Sequence, residues 1–144
     1  MKEYGEMELN VLSCLLLKPE LMKEVIIEDK HIIQYKRIWV FMKAFYNKYQ
    51  TFDIPLMYSV CKNKRDLMNY IEILLCTDAF TNSFKLYQER LIEMFKEKQK
   101  DSWIINKVYD LSNQLLVRSI TTEEFKIKIN KIYDDAEVIY KKSL

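Results

Sequence analysis

The side chains that could do chemistry are few and scattered. His31 is the only histidine, and Cys14, Cys61 and Cys76 are the only cysteines. No two cysteines form a C-x-x-C pair, so the spacing of a structural zinc site is missing. The three lie in apolar stretches and read as buried free thiols of a reducing compartment. Two acidic pairs, Glu123-Glu124 and Asp134-Asp135, are the residues an acid/base or metal-assisted mechanism would use. Glu123-Glu124 falls where a helix begins, and carboxylates there complement the helix dipole. Asp134-Asp135 lies among lysines, as on a solvated helix face. His31 has no nucleophile or carboxylate partner at a recognisable spacing. These patterns predict a non-enzyme with no cofactor and no metal. Lys96, Lys98 and Lys100 near Trp103, with Lys126, Lys128 and Lys131 further on, could contact phosphates. Glu93, Glu97 and Asp101 interrupt the first group, a mixture typical of helix-stabilising pairs. Trp39 and Trp103 read as core or interface anchors.

Composition narrows the class. The chain has 144 residues, 49% hydrophobic and 31% charged, with a formal net charge of +2. That length suits one domain, and the small net charge marks no nucleic-acid-binding field over the whole chain. Gly5 is the single glycine. Phosphate-cradling loops need glycine where the backbone approaches the phosphate or takes a positive φ, so a P-loop and a dinucleotide fingerprint are excluded. Hairpin turns in β-rich folds need glycines too. An all-α fold is the expectation. The apolar run Val11–Leu17 is too short to span a membrane and comes after an acidic, not basic, leader. The expected location is cytoplasmic, with no membrane partner.

The periodicity predicts a first helix from about Glu6 to Leu17, ended by Lys18-Pro19. A short helix then starts at Pro19, and a third runs from Ile33 to Lys48 with Tyr35, Ile38, Trp39, Met42, Phe45 and Tyr46 as its apolar stripe. Asp53 is an N-cap, with Pro55 in the first turn of a helix over 54–62. Another helix covers 65–76, and Thr81 or Asn82 caps the long helix after it. From Ser83 to Arg118 no helix breaker occurs, which predicts one helix of about 35 residues, roughly 50 Å long, projecting beyond an N-terminal bundle. Thr121 with Glu124 is a capping box for the last helix, and Ile120 and Phe125 are its staple. The organisation expected is a globular bundle of short helices over 1–82, then a long helix and an antiparallel helical hairpin over 83–144.

Heptad-like spacing places Ile104, Val108, Leu111 and Leu115 on the hairpin seam, against Phe125, Ile129, Ile132 and Ile139. Ile105, Tyr109, Leu116, Tyr133 and Tyr140 form a flanking row that one seam leaves over. This row is the expected interaction surface, meeting either the bundle or a second chain in a homo-oligomer.

The order of these features resembles the N-terminal domain of DnaB-type replicative helicases. Glu8, Val11, Leu12, Leu16 and Pro19-Glu20 are similar to that family's opening helix. Lys36, Ile38 and Trp39 resemble its His-Arg-x-Ile-aromatic helix, with Tyr35 at the histidine position. Phe52-Asp53-Ile54 resembles that family's next capping segment, and Asn82 and Tyr87 the Asn…Tyr pair that opens the long helix. The likeness covers roughly Glu8 to Val138. Ser13 stands at a common glycine, Lys30-His31 at Phe-Tyr, and no RecA-like catalytic segment is present. The resemblance implies a non-catalytic interaction and oligomerisation module of DNA replication, a collar-like domain that contacts neighbouring subunits, the replicative helicase or primase. A free-standing phage or plasmid homologue falls within that expectation. The alternatives are the similarly built helicase-binding domain of primase and a small helical DNA-binding protein.

Overall fold

The computed structural model describes residues 2–141, and all regular structure among them is helical. Six α-helices occur in order: α1 (Lys2–Leu17), α2 (Lys36–Tyr49), α3 (Ile54–Val60), α4 (Arg65–Leu75), α5 (Phe84–Leu116) and α6 (Thr122–Ile139). Short 3-10 segments at Pro19–Glu24, Asp29–His31 and Thr81–Ser83 lie between them. The chain divides into two compact units, Met1–Ile92 and Glu93–Leu144. The polar break near residue 82 marks where α5 begins. The first turns of α5, with Phe84, Gln88 and Leu91 buried, belong to the first unit.

In the first unit α1 is the central helix. Residues Val11 to Leu16 are buried without interruption, so this stretch is enclosed on all sides rather than along one stripe. Ile38, Trp39, Met42 and Phe45 of α2, Met57 of α3 and Leu67, Ile71 and Leu74 of α4 complete the core. Phe45 also packs on Phe52 and Tyr49, which closes the α2–α3 corner with aromatic rings. Gly5 lies inside α1, and the end of the exposed Gln34 side chain rests over it.

Polar side chains join these elements where the backbone is irregular. Glu8, fully buried in α1, accepts hydrogen bonds at Oε1 from the amides of Ile33 (2.6 Å), Gln34 (3.1 Å) and Tyr35 (3.4 Å). The apolar stripe predicts helix at those three residues, but their amides turn to the carboxylate and α2 starts only at Lys36. Gln88 in α5 grips the segment at 24–27. Its Oε1 accepts from Ile26 N–H (2.7 Å) and Ile27 N–H (3.4 Å), and its Nε2 donates to Glu24 C=O (3.3 Å). Ser13 Oγ donates to Leu74 C=O at the end of α4 (2.9 Å). No buried side-chain nitrogen or oxygen among the described residues lacks a hydrogen bond.

The expected Asp53 cap is in place, with Oδ1 accepting from Leu56 N–H at 3.0 Å. Thr81 and Asn82 do not cap α5. They form a 3-10 turn with no side-chain cap, and the Tyr87 hydroxyl accepts from Phe80 N–H instead (3.1 Å). Cys14 and Cys61 are buried as expected, whereas Cys76 is exposed at the end of α4. Burial pushes the Cys14 thiol up to about 11, which keeps it protonated and unreactive. Scarcity of glycine does not prevent left-handed helix ends: Gln50 (φ 60°) and Arg118 (φ 59°) take that role.

His31 is a buried structural residue. Its Nδ1 accepts from Glu28 N–H (2.8 Å), and its carbonyl accepts from the buried Tyr4 hydroxyl (2.5 Å). Burial, helped by the nearby Lys30 ammonium, holds the imidazole below its ordinary value of 6.5. As pH falls past that value the unfolded chain takes up the proton before the folded one does. The neutral histidine therefore stabilises the fold fully above about pH 6.5, and this contribution declines towards the depressed value. The urea midpoint should be lower at pH 5.5 than at pH 7.5. That difference should shrink in His31→Gln, whose amide oxygen can accept the same bond without titrating. Equal wild-type midpoints at both pH values would contradict this role.

Candidate interaction face on the helical hairpin

The second unit is the C-terminal part of α5 and the whole of α6, joined by a tight turn. Arg118 adopts the left-handed conformation. Its N–H bonds to Leu115 C=O (3.0 Å), and Ser119 N–H bonds to Gln114 C=O (3.0 Å). This pairing is a Schellman closure, which normally recruits glycine. Thr121 then opens α6 with the expected capping box: its Oγ1 accepts from Glu124 N–H (3.1 Å), and Glu124 accepts from Thr121 N–H (3.3 Å). At the other end the rings of Trp103 and Tyr140 meet edge to face with centroids 6.4 Å apart, and Lys100 pairs with Glu137.

Most of the seam lies where its spacing predicts. Leu111 is buried, and Ile104, Val108, Leu115, Phe125, Ile129 and Ile132 are half-buried. Ile139 is the exception, at 55% exposed. The inward positions run Ile129, Ile132, Ala136, Tyr140, and this three-four-four spacing turns Ile139 away from α5. Tyr140, expected in the outer row, is half-buried and packs on Trp103 within the chain.

The rest of the flanking row faces solvent. Ile105 is 66% exposed, Tyr109 67%, Leu116 78% and Tyr133 52%. Ile105, Tyr109 and Tyr133 converge with Ile104, Val108 and Ser112 on a single groove of about 400 Å³. The two helices run antiparallel, so residues displaced to the same side of each seam share one face of the hairpin. That is why positions 105 and 109 of α5 meet 133 of α6.

The other candidates either make local contacts or face solvent. Trp39 is buried and its indole N–H donates to Asp29 Oδ1 (2.9 Å). Trp103 is half-buried, with Lys107 Nζ 5.6 Å from its ring centre. Lys126 lies 3.8 Å from Glu123, the other member of the acidic pair at the start of α6. Asp134 and Asp135 are exposed. Among the described residues no three His, Cys, Asp or Glu side chains form a group that could hold a metal ion. None of the helices among them is long and apolar enough to cross a membrane. Gln88 and Ser13 position distant backbone without any mark in the sequence, since a polar residue within an apolar helix carries no spacing signal. Compared with family models, curated proteins and solved structures, the chain matches none.

The turn yields a paired test by thermal denaturation. Arg118→Gly should stabilise the hairpin by about 0.5–1 kcal/mol, because glycine relieves the left-handed strain. Thr121→Ala should destabilise it by about 1 kcal/mol through the lost cap. A destabilising Arg118→Gly or a neutral Thr121→Ala would show that the turn closes differently.

Proposed function

We propose that this chain is a non-catalytic protein–protein interaction and oligomerisation module of the DNA replication machinery, similar in role to the collar domain of replicative helicases. The exposed apolar row Ile105, Tyr109, Leu116 and Tyr133 carries the reading. Each of these side chains keeps at least half its surface in water, and three of them border one groove. Removing such surface from water contributes roughly 25 cal/mol per Å², so the row has a driving force for association. The ordered series of sequence features from Glu8 to Val138 supports the replication setting. The same face serves a second copy of the chain and a helicase or primase partner.

Sedimentation over a concentration series tests the self-association. Wild type should associate, and Tyr109→Lys with Leu116→Lys should shift it to monomer by at least roughly tenfold in dissociation constant with helical content unchanged. A monomeric wild type at high concentration would remove self-association from the reading. Co-purification with the replicative helicase or primase, lost in the same double variant, tests the partner.

A further inference from the structure

The turn between α3 and α4 concentrates positive charge that neither the fold nor the hairpin uses. Lys62, Lys64 and Arg65 are three cations within four residues, and all are exposed. Several basic residues elsewhere are paired: Arg37 with Asp66, Lys43 with Asp29, Lys100 with Glu137. Lys62, Lys64 and Arg65 form no ion pair among the described residues. Asp66, the carboxylate nearest in sequence, is held by Arg37 from α2.

The charge borders a shaped surface. Lys62, Asn63, Arg65, Met68, Asn69 and Glu72 line a groove of about 430 Å³. That volume accommodates a ligand of nucleotide size. Two asparagine amides can donate to and accept from base edges or phosphates, and Met68 supplies an apolar surface for a base. Glu72 is the one carboxylate on the wall; it disfavours densely charged inorganic anions while leaving a donor-rich base an acceptor. The turn is closed by Lys64 N–H to Cys61 C=O (2.8 Å), and α4 starts with no side-chain cap. Its first amides therefore add positive potential to that of the three side chains.

We propose that this basic groove contacts a single strand of nucleic acid, independently of the hairpin face. Two to three cations set the expected behaviour. Affinity should be modest, and its logarithm should fall against the logarithm of salt with a slope between about −1.4 and −2.1. Between 50 and 200 mM salt, binding should weaken by roughly 7- to 18-fold.

Fluorescence anisotropy with a labelled 20-mer of deoxythymidine tests this on the full chain. Lys62→Ala/Lys64→Ala/Arg65→Ala should reduce affinity at least roughly tenfold and flatten the salt slope, with an unchanged circular dichroism spectrum. Lys126→Ala/Lys128→Ala/Lys131→Ala on α6 should leave affinity within about twofold. The milder Lys62→Ala alone, which removes one cation from the groove wall, should reduce the slope by about 0.7, which keeps the test valid if the triple variant misfolds. The proposal is overturned if wild type does not bind at 50 mM salt, if the α6 variant loses binding instead, or if the α3–α4 variants bind as wild type does. It is also overturned if a poly-glutamate peptide or phosphatidylserine vesicles bind the same residues more tightly than the oligonucleotide.

Discussion

The carboxylate of Glu8 is buried in the first unit and accepts hydrogen bonds from three successive backbone amides at residues 33–35. A buried carboxylate is tolerated only when its lone pairs are filled, and buried amides in an irregular segment need acceptors just as strictly. Each requirement here satisfies the other. The amides lead directly into α2, so the negative charge also lies at that helix's positive end. The contact thereby ties the chain entering α2, which buries Ile38, Trp39 and Met42, to the central helix α1. Gln88 treats the segment at 24–27 in the same way, binding two amides and one carbonyl. Two helix side chains thus supply the partners that a strand or helix would have supplied at residues 26–27 and 33–35.

Local signals were the legible part. Asp53 with Pro55, and Thr121 with Glu124, act within their own turn, and both caps form as their spacing predicts. The long breaker-free stretch is a single helix of 33 residues. The features that escaped the sequence depend on distant partners. Ile33, Gln34 and Tyr35 fit a helical stripe, yet the amides of all three are diverted by a residue 25 to 27 positions away. Gln88 and Ser13 look like ordinary polar residues on helices until the segments they bind are placed. Tyr140 and Ile139 exchange roles because a one-residue phase difference decides which faces α5.

Gln50 and Arg118 show how the fold manages with one glycine. Left-handed helix ends are disfavoured by roughly 1–2 kcal/mol for residues with a Cβ. Backbone bonds offset this at both sites: Gln50 N–H to Tyr46 C=O at 2.7 Å, and the two bonds of the Schellman closure around Arg118. The two units also differ in how they present surface. The first buries its apolar residues around α1 and shows cations at one turn. The second has a thin seam and leaves aliphatic and aromatic side chains in water, an arrangement that association would stabilise.

Amide hydrogen exchange at Ile33 and Gln34 tests most directly whether Glu8 organises the first unit. In wild type both amides should be protected nearly as well as the core of α1. In Glu8→Leu, whose side chain has no acceptor, protection at these two positions should collapse, and global stability should fall by about 2–4 kcal/mol. Unchanged protection at Ile33 and Gln34 in Glu8→Leu, with a stability loss below about 1 kcal/mol, would contradict this role of Glu8.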